Sequence, residues 1–344
     1  MSQPLVSVCL PNRNTLPFLP ERVETIFDQT CQNWELIVSD NFSEDGAWAF
    51  FERIAGKDGR VSIEQAPPKG MYANWNNCIR RARGKYIYIA TSDDTMAPDC
   101  LEKLVASLEA HRECDLAHCG LRLIDESGRQ LENWYWRGSI FALSSGQFIE
   151  IPHLRMAPFD GLLHLSGWTV YTSITQLLIR RELFDKIGLF ESRWGSVGDF
   201  NWDMRAGLVA NTVHVPDTWG GWRVHRGQAT AQVDQHSVEH EGRIQEMIDH
   251  AIHATKSLIA PAIFELLQNK WSANASALRH FLDAVTEQQD SNVFRRLFIL
   301  RELLRGEFAA SLHICARATK RPIWPEVVRK WTRQIGIRTA LVPL

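Results

Sequence analysis

The chain reads as an α/β protein: a Rossmann-like, mostly parallel sheet flanked by helices, followed by an α-helical C-terminal extension. Three observations lead there. Short β-branched and aromatic runs alternate with amphipathic stretches through the first 125 residues, the pattern of βαβ units. Polar and acidic residues follow the ends of those runs, where an open α/β sheet binds its ligands. Beyond Ser237 glycine almost disappears and the periodicity turns helical.

The elements follow in order. The apolar run 5–10 predicts the first strand. Over 17–29, Leu19, Val23, Ile26 and Phe27 share one helical face. A second strand over 34–39 ends at Asp40. A helix over 46–55, a strand over 61–65 and a helix over 70–83 come next. The strand 86–90 precedes a helix over 98–111, with Pro98 suited to its first turn. A strand over 116–124 closes the alternation. From 130 to about 227 aromatics and glycine are dense, and beyond that the chain is helical. Three parts are therefore expected: a ligand-binding half over 1–125, a half completing the pocket over 126–230, and a helical region over 231–344.

Composition narrows the function classes. Of 344 residues, 45% are hydrophobic and 23% charged, which is ordinary globular material with ample core. A net charge of −2 carries no nucleic-acid signature. The start lacks the basic segment and long apolar run of a secretory leader, and no stretch reaches the roughly 18 apolar residues of a membrane span. The seven cysteines are odd in number and form no C-x-x-C pair, so reduced thiols in a cytoplasmic protein are expected. The 13 tryptophans suit packing, and also stacking on sugars or bases.

The densest chemistry lies at Asp93 and Asp94, where the run from Tyr86 stops in two adjacent carboxylates. Such a pair is costly unless a cation or proton neutralises it. Asn12, Arg13 and Asp40 also follow strand ends and would gather on the same edge. No G-x-G-x-x-G or Walker A sequence is present. Each residue also has a structural reading: an Asx turn or helix cap for Asp40, and a plain turn for the acidic pair.

Together these segments resemble family 2 glycosyltransferases, which have the GT-A fold. The carriers are Val6-Ser-Val-Cys-Leu-Pro-Asn-Arg-Asn14, Trp34 through Asp40, Gly70 through Asn76 with Ala82, Gly84, Tyr86 and Ile87, and Ser92-Asp-Asp-Thr-Met-Ala-Pro-Asp99. The resemblance covers about residues 3–230. It implies a nucleotide-sugar donor, with UDP or dTDP favoured, held by Pro11, Asn12, Arg13, Asp40, Gly70, Asn76 and Asp93. It also implies Mn²⁺ or Mg²⁺ on Asp94. Thr91 stands where many relatives have a further acid.

The segment Trp194-Gly-Ser-Val-Gly-Asp-Phe-Asn-Trp-Asp-Met-Arg205 resembles the family's catalytic region, with Gly198 in place of the usual Glu. Asp199 then falls at the base position of an inverting transfer, although an aspartate there also reads as a helix cap. Asp203 lies one turn on. Trp222 through Thr230 resembles the closing segment, which implies His225 as a second metal ligand and Arg223 or Arg226 against the leaving diphosphate. Trp134, Trp136, Trp168 and Trp194 are candidates for the acceptor surface, with core packing as the alternative.

The expected acceptor is a glycan or lipid-linked glycan. The basic, Trp-bearing segment 320–344 would contact an anionic membrane from its cytoplasmic face. Two competing readings remain: a sugar nucleotidyltransferase, which lacks its Gly-rich loop here, and a non-catalytic carbohydrate- or nucleotide-sugar-binding protein, favoured by Thr91 and Gly198. His236-Ser-Val-Glu-His240 fits a short zinc-peptidase pattern and reads as a solvated helix face.

Overall fold

The structure is a computed structural model that describes residues 3–132, 150–165, 169–228, 238–268 and 341–343. One sheet runs through it in the order β10-β7-β9-β6-β8-β4-β1-β2-β3. Its first half is parallel: β3 (Val61–Gln65), β2 (Trp34–Asp40), β1 (Val6–Asn12) and β4 (Tyr86–Ile89). Here the mostly parallel expectation is met. The second half mixes directions. β8 (Leu177–Arg180) runs antiparallel to both β4 and β6 (Leu116–Ile124), whereas β9 (Thr212–Arg223) is parallel to β6. β7 (His153–Arg155) is antiparallel to β9 and to β10 (Leu341–Pro343). β5 (Thr95–Met96), just after the acidic pair, also pairs with β9. The expected boundary near 125 therefore falls within a continuous sheet.

The strands are hydrophobic on both faces because helices cover both. Alternate residues of β1, β2 and β4 enter two separate cores. Cys9, Ile37, Ile87 and Ile89 face one side, and Val8, Leu10, Leu36, Val38, Tyr86 and Tyr88 the other. α1 (Leu19–Phe27), α2 (Ala47–Ala55) and α4 (Cys100–Ala110) pack on the second side. α3 (Met71–Arg81), α5 (Phe159–His164), α6 (Glu182–Ile187), α7 (Gly198–Val209) and α8 (Val238–Ala254) pack on the first, and α9 (Pro261–Leu266) adds to them. The cysteines among the described residues are free, and most are buried.

The chain leaves β1 for β2 on one side and returns to β4 on the other. The ends of β1, β2 and β4 thus flank a switch point, the usual ligand crevice of such a sheet. Among the described residues no helix is long and apolar enough to cross a membrane. Trp134, Trp136 and Trp168, the His236–His240 side chains and almost all of 320–344 lie outside the described residues.

Candidate active site

β1 and β2 end in register at Asn12 and Asp40. Asn12 Nδ2 donates to Asp40 Oδ1 at 2.7 Å and to Ser43 Oγ at 3.0 Å. Ser43 donates through its N–H at 2.9 Å and its hydroxyl at 2.5 Å to the same carboxylate. Asp40 is thus fully buried in an Asx turn. Asp40 accepts three hydrogen bonds within the turn and so shapes the loop. Pro11 and Asn12 are buried beside it, and Arg13 is the first exposed side chain. The next turn holds Phe42 at φ 53°, exposed. A left-handed backbone costs a residue with a Cβ about 1–2 kcal/mol.

Gly70 enters α3 at φ 99°, a conformation that favours glycine. Asn74, in the first turn, donates to Asn12 O at 3.2 Å, tying α3 to the end of β1. Asn76 lies two residues on. Its amide donates to Phe190 O at 2.7 Å and accepts from Phe190 N–H at 3.1 Å, so both ends of the side chain are spent on another loop. Arg205 of α7 donates to the carbonyls of Ile187 and Leu189 in that loop. Asn76 therefore helps set the position of α7.

The two acidic residues divide sharply. Asp94 is buried; Oδ1 accepts from Arg223 N–H at 2.9 Å and Oδ2 from the Thr91 hydroxyl. Burial, reinforced by Asp93, pushes its pKa up to about 7. Asp93 keeps a side chain 24% exposed, with Oδ2 2.9 Å from His225 Nε2. That hydrogen bond raises the His225 pKa. Phe18 holds the imidazole from the side, ring centroids 4.9 Å apart. His225 and the exposed Arg226 line an open depression of about 700 Å³ with Asp125, Glu126, Ser127, Arg129 and Val224.

Asp93 and His225 offer a carboxylate and an imidazole suited to a divalent ion, while each oxygen of the buried Asp94 accepts one hydrogen bond. One carboxylate and one imidazole leave room for diphosphate oxygens and water, and the imidazole favours Mn²⁺ over the harder Mg²⁺. Among the described residues no three metal-ligating side chains converge.

Arg223 ends β9. Its guanidinium is buried, donating to Asp93 O at 2.6 Å, Asp125 O at 2.9 Å, Glu126 O at 3.1 Å and Glu21 Oε2 at 2.5 Å. Four of its five N–H groups are spent on these acceptors, so it braces the acidic loop, and Arg129 and Arg226 are exposed cations nearby.

Asp199 opens α7. Its Oδ1 accepts from Phe200 N–H at 2.9 Å and lies 2.8 Å from the Tyr72 hydroxyl. Among the described residues Oδ2 accepts no hydrogen bond, and the side chain keeps partial access to solvent. Burial raises the Asp199 pKa. Burial, and then Asp199, raise the pKa of Asp203 behind it.

Tyr72 also explains Gly198. A Cβ there would lie 2.6 Å from the Tyr72 ring and 2.7 Å from Glu191 O. The tyrosine that orients Asp199 fills the space a larger residue would need. Trp194 is buried between Arg193 and His250 and packs into the core.

A family profile described as Glycosyl transferase family 2 matches residues 7–188. Among curated proteins, EpsE of Bacillus subtilis is 36% identical over 129 residues, 37% of this chain and 46% of EpsE. The glycosyltransferase GlyG of Streptococcus pneumoniae is 30% identical over 190 residues, 55% of this chain and 61% of GlyG. The chain spans about half the length of such relatives. Among solved structures, S. aureus TarS in complex with UDP superposes with a TM-score of 0.56 at 15% identity, over 96% of this chain and 91% of that one. The mannosyltransferase PcManGT of Pyrobaculum calidifontis, with GDP-Man and Mn²⁺, gives 0.51 at 16% identity, over 97% and 88%. These likenesses show the GT-A fold.

Proposed function

Since the chain belongs to glycosyl transferase family 2, we propose that it moves a sugar from a nucleotide-sugar to an acceptor hydroxyl with inversion at the anomeric carbon. The observations that carry this reading are a partly exposed Asp93–His225 pair and a carboxylate, Asp199, one oxygen of which accepts no hydrogen bond among the described residues. The link between them runs through α3: Asn74 binds the end of β1, and Tyr72 binds Asp199.

Asp93 and His225 would hold the divalent ion, which would supply positive charge against the diphosphate. Asp199 Oδ2 takes the acceptor proton. The acceptor oxygen forms its bond to the anomeric carbon as the bond to diphosphate breaks, and the electron pair leaves with the phosphate. Arg226 adds charge at the rim. Tyr72 keeps Asp199 aimed.

UDP in TarS and GDP-Man in PcManGT support a nucleotide-sugar without choosing the base. The non-catalytic reading loses ground, because Thr91 and Gly198 are both absorbed into contacts that order Asp94 and Asp199. Thermal shift with UDP, GDP, dTDP and CMP in Mn²⁺ tests the reading. One nucleotide should stabilise the protein, and excess EDTA should remove that gain. Asp93→Ala and His225→Ala should bind as weakly as wild type in EDTA. Binding indifferent to EDTA would discard the metal role.

A glycan or lipid-linked glycan acceptor draws support from TuaG of Bacillus subtilis, whose name carries teichuronic acid biosynthesis, and from the basic segment 320–344. Co-sedimentation with anionic vesicles should fall when 320–344 is removed. Equal sedimentation of both forms would rule out that contact and the cytoplasmic-face location it implies.

A further inference from the structure

Asn74 and Asn41, the residue before Phe42, meet at one carbonyl. Asn12 O accepts from Asn41 N–H at 2.9 Å and from Asn74 Nδ2 at 3.2 Å. A carbonyl only accepts, so the amide orientation of Asn74 is settled: its nitrogen faces Asn12 and its Oδ1 faces elsewhere. That oxygen is buried and has no partner among the described residues, in a side chain only 5% exposed. A buried acceptor without a donor is costly until a ligand or water brings one.

Phe42 follows Asn41 directly. It is 53% exposed and left-handed at φ 53°. A bulky residue in that conformation invites a functional explanation. The loop around it is rigid: Asn14 N–H donates to Ser43 Oγ at 2.9 Å, Glu44 N–H to Asn14 Oδ1 at 2.8 Å and Leu16 N–H to Asp45 Oδ2 at 2.8 Å. An exposed ring on a preorganised loop loses little entropy when a flat ligand settles on it.

We propose that Phe42 is the stacking platform for the donor's nucleobase and that Asn74 Oδ1 accepts a hydrogen bond from the same nucleoside. This rests on the nucleotide-sugar reading above. Uracil, thymine and guanine each carry a ring N–H that suits such an acceptor, as does a ribose hydroxyl. Asp40, enclosed in its turn, is left to hold the loop.

The test is calorimetric titration of UDP, GDP and inorganic pyrophosphate, with Mn²⁺, into the whole chain. Stacking losses on this scale weaken nucleotide binding by about tenfold. Phe42→Ala and Phe42→Gly should show that loss with UDP or GDP and none with pyrophosphate, and Phe42→Trp should restore it. The Tm of Phe42→Gly should not fall, because glycine relaxes the left-handed turn. Asn74→Leu should also weaken the nucleotide alone. Wild-type affinity in Phe42→Gly, or equal loss for pyrophosphate, would overturn the platform while leaving the donor reading intact. A wild-type chain that binds neither UDP nor GDP would overturn both.

Discussion

An Asp199→Asn variant binds the nucleotide donor as tightly as wild type and transfers sugar roughly 10²- to 10⁴-fold more slowly, the usual worth of a positioned general base. Asparagine keeps the shape, and its oxygen still accepts from Phe200 N–H and Tyr72. What disappears is a basic oxygen at the position of Oδ2. Burial raises the pKa of Asp199, so the carboxylate is a stronger base than one in water and is disabled at a higher pH. The transfer rate should rise as pH climbs through that raised value and fall below it. The Asn variant should lack this limb. Steady-state kinetics across pH, with donor affinity measured separately, checks both statements. Transfer at the wild-type rate would end the assignment.

Acid should weaken the fold through histidines that the reaction does not use. His118, His153, His164 and His214 are fully buried around the Arg155–Asp160 ion pair, whose Nε to Oδ1 distance is 2.7 Å. Tyr171 donates to the other Asp160 oxygen at 2.7 Å. Hydrogen bonding sets the tautomers. Arg155 can only donate, so His118 Nδ1 at 3.2 Å and His153 Nε2 at 3.3 Å must accept. Val170 N–H points at His164 Nδ1, which must accept too. A proton on any of these nitrogens would face an N–H.

Burial lowers the His164 pKa to about 3, and burial and then Arg155 lower that of His118. A depressed histidine contributes its stability above the unfolded pKa near 6.5 and loses it as pH falls toward the folded value. Asp94 and Asp203, both raised, pull the other way, because the fold favours their protonated forms. The comparison with His164→Asn isolates the histidine, since asparagine keeps an acceptor for Val170 and cannot titrate. Relative to that variant, the wild type should lose about 3 kcal/mol between pH 7 and pH 4. Chemical denaturation at several pH values measures it, and parallel curves would contradict the account.

Much of this was legible in the sequence. Each strand and helix expected in the first 125 residues is present, because period-2 and period-3.6 patterns report burial directly. Asp93 stands out as a carboxylate at a strand end, and Asp199 and His225 through the family resemblance of their segments. What the sequence does not carry is how neighbouring residues of one type differ in environment. Asp94 turns into the protein and Asp93 out of it, and Arg223 is enclosed while Arg226 is exposed; no periodicity marks either difference. Asn76 is polar and near the site, yet its amide is matched to a backbone 114 positions away. Tyr72 went unnoticed because its role depends on the absence of a side chain at Gly198, and such a vacancy carries no local signal. Phe42 had one cue, a bulky aromatic amid turn-forming residues.

The reach of Arg223 bears on how the site comes into being. Its bond to Glu21 spans 202 positions. Closing so long a loop in an open chain costs about 5 kcal/mol of entropy, more than one ion pair returns. The contact becomes affordable only once parallel pairing of β1, β2 and β4 and the docking of β9 on β6 have brought the two ends together. The acidic loop therefore acquires its shape after the sheet is built, and the fold can exist before the chemistry does.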